Sequence, residues 1–156
     1  MTITATAPPA IIAAADMLAA SAAWIALVGS GNELSSIYYP AYDEQDVVLP
    51  AAVLFPGVRT KKKFITGAPG LDGGSMIMVI HVPLTMTDYE LETVAEAILA
   101  DLFSNDTGLA LQDGNVGPTE NPRPGERAAD DTVAPTAPVE QAARSISINL
   151  DYGLTA

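Results

Sequence analysis

The stretch from Ser75 to Phe103, SMIMVIHVPLTMTDYELETVAEAILADLF, constrains the fold most, because its hydrophobic period changes once along its length. Met76 to Val82 is apolar throughout except for His81, a pattern that suits a central strand covered on both faces. The period then becomes helical, with Leu91, Val94, Ile98 and Leu102 recurring on one side. Thr87 and Glu90 have the spacing of a capping box, and Met86 can staple onto Leu91. Asp88, Glu90, Glu92, Glu96 and Asp101 supply the polar remainder of the helix, and Asn105 to Gly108 ends it. A buried strand running into an amphipathic helix must lie within a layered structure, with the helix on the sheet.

The chain before this unit divides readily. Residues 1–9 read as a flexible or extended leader, with Pro9 able to open the helix that follows. Alanine-rich Ala10 to Ala20 favours helix, with Ile11, Ile12, Ala15 and Leu18 on one side. Ser21 can cap a shorter helix over Ala22 to Val28, which Trp24, Ile25, Leu27 and Val28 would fasten to the sheet. Gly29, Gly31 and Asn32 terminate it. The glycines of GSGNEL follow a helix and lack a third glycine, so they read as a helix cap and not as a dinucleotide-binding loop.

Ile37 to Tyr39 is a short β-type run, and Ala41 to Asp46 an acidic loop. After Leu49-Pro50 a strand should begin at Ala51, to be interrupted at Pro56-Gly57. Residues 58–75 then read as a long hairpin leaving the body, with its tip at Gly67 to Gly74 and the buried strand as its return arm. Residues 105–143 are rich in proline and glycine and read as an extended loop or arm, with Leu109 and Leu111 able to add a brief strand. Arg144 to Tyr152 alternates: Ile146, Ile148, Leu150 and Tyr152 face one way, Ser147, Asn149 and Asp151 the other. The expectation is one α+β domain over residues 1–156, a small and largely antiparallel sheet with two helices packed on it.

A formal net charge of −12 argues against a protein whose whole surface binds nucleic acid or anionic membrane. With no cysteine there is no disulfide framework and no thiolate chemistry. The Ala10 to Val28 segment holds too few large apolar residues for a membrane-spanning helix, and the N-terminus lacks the positive region of a secretory signal. A soluble protein is expected.

The seven basic residues are unevenly placed, with Arg59, Lys61, Lys62 and Lys63 close together and none before them. Such a run serves either as a solvated loop or as a docking patch for an acidic partner. No constellation points to catalysis. His81 sits in a buried strand, where a satisfied or interface-facing histidine is commoner than a catalytic one. Asp72 and Ser75 belong to a glycine-rich turn. Asp43, Glu44 and Asp46 lack the spacing and turn glycine of a calcium loop. Tyr38, Tyr39 and Tyr42 have acidic neighbours that would repel nucleic-acid phosphates. No cofactor or metal is expected.

In order and texture, the segments LAASAAWIALVG, IYYP, LPAAVLFPG, MIMVIHV, YELETVAEAILADL and SISINLDYG resemble the tail terminator, or tail completion, proteins of long-tailed bacteriophages. The likeness covers about two-thirds of the chain, and the proline-rich segment before the last strand departs from it. The resemblance implies a virion protein without enzymatic activity, assembled in the host cytoplasm and located at the junction of tail and neck. It would form a ring, usually a hexamer, on the last ring of tail-tube protein, halting tube growth and meeting the neck or head-completion proteins. DNA would pass through the ring without specific binding. On this reading Asp43, Glu44, Asp46, Glu92 and Glu96 are candidates for lining the lumen, and Arg59, Lys61, Lys62 and Lys63 for docking a neighbouring ring. A neck or head-to-tail connector of the same virion is the nearest alternative. A small ligand-binding domain or enzyme of α+β type is the alternative from another class.

Overall fold

A computed structural model describes residues 9–39, 48–61, 72–105, 108–119 and 143–153. The chain is α+β, with the order α1 (Pro9–Ala19), α2 (Ala22–Val28), β1 (Ile37–Tyr38), β2 (Ala51–Lys61), β3 (Asp72–Pro83), α3 (Asp88–Ser104), β4 (Ala110–Val116) and β5 (Ala143–Gly153). The five strands form one mixed sheet in the order β1-β2-β3-β5-β4, in which only the β1–β2 pair is parallel.

β3 holds this sheet together. It pairs with β2 from Lys61↔Asp72 to Ala51↔His81 and with β5 from Gly73↔Gly153 to Pro83↔Ala143. Met76, Met78, Ile80 and Val82 face the helices, where they meet Ala52 and Leu54 of β2 and Ile146, Ile148 and Leu150 of β5 in the main core. Val79 and His81 point to the opposite face and are buried as well. The apolar run is therefore a strand covered on both sides, as its sequence pattern requires.

The helices close one face. α1 contributes Ile11, Ala14, Ala15, Met17 and Leu18 to the core, and α2 contributes Trp24, whose Nε1 donates to the Glu33 carbonyl at 2.9 Å. α3 buries Leu91, Ala95, Ile98 and Leu102; the inward stripe passes through Ala95, while Val94 is only half-buried. Each fully buried large side chain contributes about 1.5–3 kcal/mol of transfer free energy. The entry of α3 is fixed by the expected capping box: Glu90 N donates to Thr87 Oγ1 at 3.2 Å, and Thr87 N donates back to Glu90 Oε1 at 3.3 Å. The Arg144 guanidinium on β5 pairs with the Asp88 carboxylate in the same first turn.

Several expectations need correction. The count of two helices on the sheet becomes three, because the expected cap at Ser21 does separate α1 from α2, which are bent by 78°. No single described helix is long and apolar enough to cross a membrane. The residues from 105 to 143 are not one continuous arm, since β4 lies within them and forms a full edge strand beside β5. The brief strand expected at Leu109 and Leu111 is this β4, longer than its weak apolar alternation suggests: Leu111 and Val116 face the helices, but a register shift between Leu111 and Asp113 and a glycine at position 114 break the period. The interruption expected at Pro56-Gly57 is present as a register shift between Pro56 and Arg59, through which β2 continues to Lys61. The hairpin arms remain part of the sheet as far as Gly73, which still pairs with Gly153. Asp72, Gly73 and Gly74 accordingly belong to β3 and not to the tip, and residues 62–71 lie outside the described residues.

Gly57 at that irregularity cannot be replaced without movement. A Cβ there would stand 2.6 Å from the Ser75 carbonyl oxygen and 2.3 Å from its Oγ. Gly57→Ala should therefore lower stability by about 1–3 kcal/mol, as read by urea denaturation, because the exposed Gly57 can take a Cβ only if the β3 backbone at Ser75 moves away. A wild-type midpoint would show that the β2–β3 approach is looser than described here.

Candidate interaction surface

Three places bring polar groups together. The first is the outward face of α3. Tyr89, Glu92, Thr93 and Glu96 follow one another at three- and four-residue spacing, so they share one side of the helix, opposite the Leu91–Leu102 stripe. That side meets the end of β4, and Val116, Gly117 and Pro118 complete an open groove of ≈ 540 Å³. Gly117 is anchored by its N–H to the Ser147 carbonyl at 2.8 Å, which continues the β4–β5 ladder one residue past Val116. Tyr89 is 78% exposed, the most exposed large apolar or aromatic side chain among the described residues. Glu92 and Glu96 are exposed one turn apart, without a cationic partner among the described residues. The groove thus offers an aromatic ring, two carboxylates and an apolar wall of Val116 and Pro118, a combination suited to a basic side chain with a long aliphatic stem.

The second is a histidine–serine pair on the opposite face of the sheet. His81 on β3 faces Ser145 on β5, and Nδ1 lies 2.7 Å from Oγ. Sequence reasoning singled out His81 but missed Ser145, because only strand register joins residues so far apart. The pair has the spacing of a base and a nucleophile, yet it lacks what catalysis also needs. His81 is fully buried and Ser145 nearly so, leaving Oγ no approach for a substrate, and His81 Nε2 has no hydrogen-bond partner that could orient the ring. Ala51, Val53 and Val79 lie beside it on the same face. Burial pushes the imidazole down to about 4, so it is neutral at physiological pH.

The third joins two helices. Asp101, expected on the polar side of α3, instead turns toward the start of α2. Its Oδ2 accepts from Ser21 Oγ at 2.7 Å and from Ala23 N at 3.1 Å, while Ser21 Oγ accepts from Trp24 N at 3.3 Å. These hydrogen bonds hold the carboxyl below its ordinary range. A serine N-cap was legible in the sequence; its partner 80 residues away was not.

The remaining residues singled out from sequence are placed as follows. Glu92 and Glu96 lie together on the groove. Arg59 and Lys61 lie on the distal end of β2, opposite Gly74 and Asp72. Lys62, Lys63, Asp43, Glu44 and Asp46 lie outside the described residues. Tyr38 is buried in the second, smaller cluster with Ala51, Val53 and Ala143, so it offers no stacking platform. Among the described residues no group of three or more histidine, aspartate or glutamate side chains could hold a metal ion. No known protein-family model matches the chain, and no curated protein matches it either.

The two titratable groups predict separable acid sensitivities. The unfolded chain takes up a proton at His81 near pH 6.5 that the folded chain refuses until about 4. Stability should therefore fall as pH drops through that window, by up to about 1.4 kcal/mol per pH unit. His81→Gln should flatten this part of the urea-midpoint profile; an unchanged slope would mean that the ring is solvated. Asp101 acts at lower pH. Its depressed folded value gives stability that is complete above the ordinary carboxylate range and disappears as pH falls through the folded value. Asp101→Ala should cost about 1 kcal/mol at pH 7, a modest figure because the carboxylate stays largely hydrated. Loss of protection in α2 amides by hydrogen exchange would locate the effect; a uniform loss would not fit a cap.

Proposed function

We propose that the protein is a structural virion component, a ring-forming tail terminator that caps the tail tube, stops its polymerisation and provides the interface to the neck or head-completion proteins. The observation that carries this reading is the segregation of charge on a small α+β subunit. Four of the seven basic residues fall between Arg59 and Lys63, at and just beyond the end of β2, while Glu92 and Glu96 stand exposed on α3 beside β4, the strand at the opposite edge of the sheet. A subunit with a basic end and an acidic flank can be gripped from two directions, which suits assembly into a ring. Support also comes from the resemblance in segment order: an alanine-rich N-terminal helix ending LAASAAWIALVG, then IYYP, LPAAVLFPG, the apolar strand MIMVIHV, the acidic helix YELETVAEAILADL and the last strand SISINLDYG.

The strongly negative net charge fits a conduit for DNA, because carboxylates toward a lumen repel phosphates and keep the duplex from adhering. Asp43, Glu44 and Asp46 are the acids proposed for this lining, and Arg59, Lys61, Lys62 and Lys63 are the proposed docking cluster, with Glu92 and Glu96 available as its acidic counterpart on α3. Reversing Lys61, Lys62 and Lys63 to glutamate should weaken capping of purified tail tubes at least about tenfold, a loss of about 1.4 kcal/mol. The fold should be unaffected, within the ±0.5 kcal/mol or so typical of surface changes. Tails made with this variant should exceed normal length; normal lengths and normal head joining would remove the docking role. Recovery of the wild-type protein on isolated headless tails is expected of a terminator, whereas its absence from them would favour a neck connector.

A further inference from the structure

We infer that the groove between α3 and β4 accepts the basic end of β2 from a second copy of this chain, in a head-to-tail contact repeated around the ring. The inference rests on the ring reading and deepens it, by making an adjacent subunit the acceptor for the Arg59–Lys63 cluster.

Strand register gives the separation of the two surfaces. Val116 pairs with Ile148, which pairs with Met78, whereas Lys61 pairs with Asp72. The basic end thus lies six residues further along β3, about 20 Å, and β4 is three strand spacings from β2, about 14 Å. The surfaces stand about 24 Å apart on this spacing, the groove at the β4 edge and the basic end at the far end of β2, well beyond the reach of paired side chains. Their complementarity cannot be satisfied within this part of one subunit. Two different, mutually complementary surfaces on one subunit define a heterologous interface, which closes into a ring when the rotation between copies allows it.

The chemistry of the groove selects a cation. Tyr89 presents a ring face on which a guanidinium can stack, Glu92 and Glu96 supply two carboxylates on one side of a helix, and Val116 and Pro118 cover an aliphatic stem. An exposed tyrosine beside a cleft is also the residue type that most often dominates binding energy at protein interfaces. The outer edge of β4, unpaired among the described residues, is the weaker candidate for the same role. Its register shift, Asp113 and the Pro118 that follows are the devices by which edge strands discourage pairing with another chain. Of the seven basic residues, Arg144 is engaged by Asp88, which leaves the Arg59–Lys63 cluster and the pair Arg123 and Arg127. The cluster is the denser of the two and is the occupant inferred here.

The test is a charge-swap cycle on the full-length protein, read as mass by light scattering and sedimentation at low and physiological ionic strength. Wild type should assemble, with assembly weakening as salt rises. Glu92→Lys with Glu96→Lys, and separately Arg59→Glu with Lys61→Glu, should each shift the protein to monomer at the same concentration, at least about tenfold weaker in association. Circular dichroism and thermal midpoints establish that each variant is folded, and Tyr89→Ala should weaken assembly without altering net charge. The four substitutions combined should restore assembly. Failure of the combination to restore it, or assembly of both double variants like wild type, would overturn the inference. Restoration of the Glu92→Lys, Glu96→Lys protein by Arg123→Glu with Arg127→Glu would do so too, by assigning the groove to residues 120–142. A wild-type protein that stays monomeric yet caps tail tubes would sink this contact while leaving the proposed function standing; one that forms rings but caps nothing would do the reverse.

Discussion

The whole molecule depends on β3 being hydrogen-bonded along both edges and buried on both faces. Its two ladders join β2 and β5, which are far apart in sequence, and its helix-facing residues Met76, Met78, Ile80 and Val82 form the floor on which α1, α2 and α3 rest. A strand in this position has no solvent-facing side on which polar residues can be placed at no cost. The one polar residue within its apolar run, His81, therefore acts as a local constraint. It has one hydrogen-bond partner, Ser145, and its second ring nitrogen has none. A buried polar atom left unpaired is destabilising, and here it also ties the choice of register to a hydrogen bond. Sliding β5 by one residue would put Ile146 opposite His81 in place of Ser145, leaving the imidazole with no partner and turning every alternating side chain of β5 to the wrong face.

That arrangement separates stability from interaction. The helix side of the sheet is closed by apolar packing, and α3 is held at both ends: by the capping box and Arg144 at its start, and by Asp101 reaching to α2 near its finish. A helix fixed so thoroughly on its inner side can carry Tyr89, Glu92, Thr93 and Glu96 on its outer side without any of them contributing to the core. Exposed carboxylates one turn apart repel each other and weaken an isolated helix by a few tenths of a kcal/mol. The fold tolerates this because α3 draws its stability from tertiary packing and caps, as most helices in proteins do.

How much of this was legible in the sequence follows from the range of each interaction. Local signals held: the Thr87–Glu90 box, Ser21 as a cap, the start of β2 after Pro50, and the alternation of β5 all depend on residues within one turn or one strand. The break between α1 and α2 was written in Ser21, but its consequence, three helices, depends on how far the chain turns there. β4 was only glimpsed, because an edge strand with one face on a helix and a register shift near its start needs few apolar residues to stay in place. Ser145 as partner of His81, Asp101 as partner of Ser21, and the approach of Val116 and Pro118 to α3 are long-range pairings fixed by register and helix placement. No spacing rule within one segment could have revealed them. Glu92 and Glu96 were singled out for their charge, and what the structure adds is their setting, beside an exposed tyrosine and a strand end.

That setting changes what the acidity of the chain means. Spread evenly, a charge of −12 would mainly keep copies apart through mutual repulsion. Concentrated in part on one flank, with four of the seven basic residues between Arg59 and Lys63, the same composition would make the proposed contact directional: copies repelling in most orientations and attracting in one. Because charge complementarity acts chiefly on orientation and encounter rate, with apolar and aromatic contacts supplying more of the affinity, a groove carrying both Tyr89 and two glutamates is suited to both tasks. In the contact proposed above, an acidic subunit of this design would stay dispersed at random encounter and associate when its basic end meets a neighbour's α3.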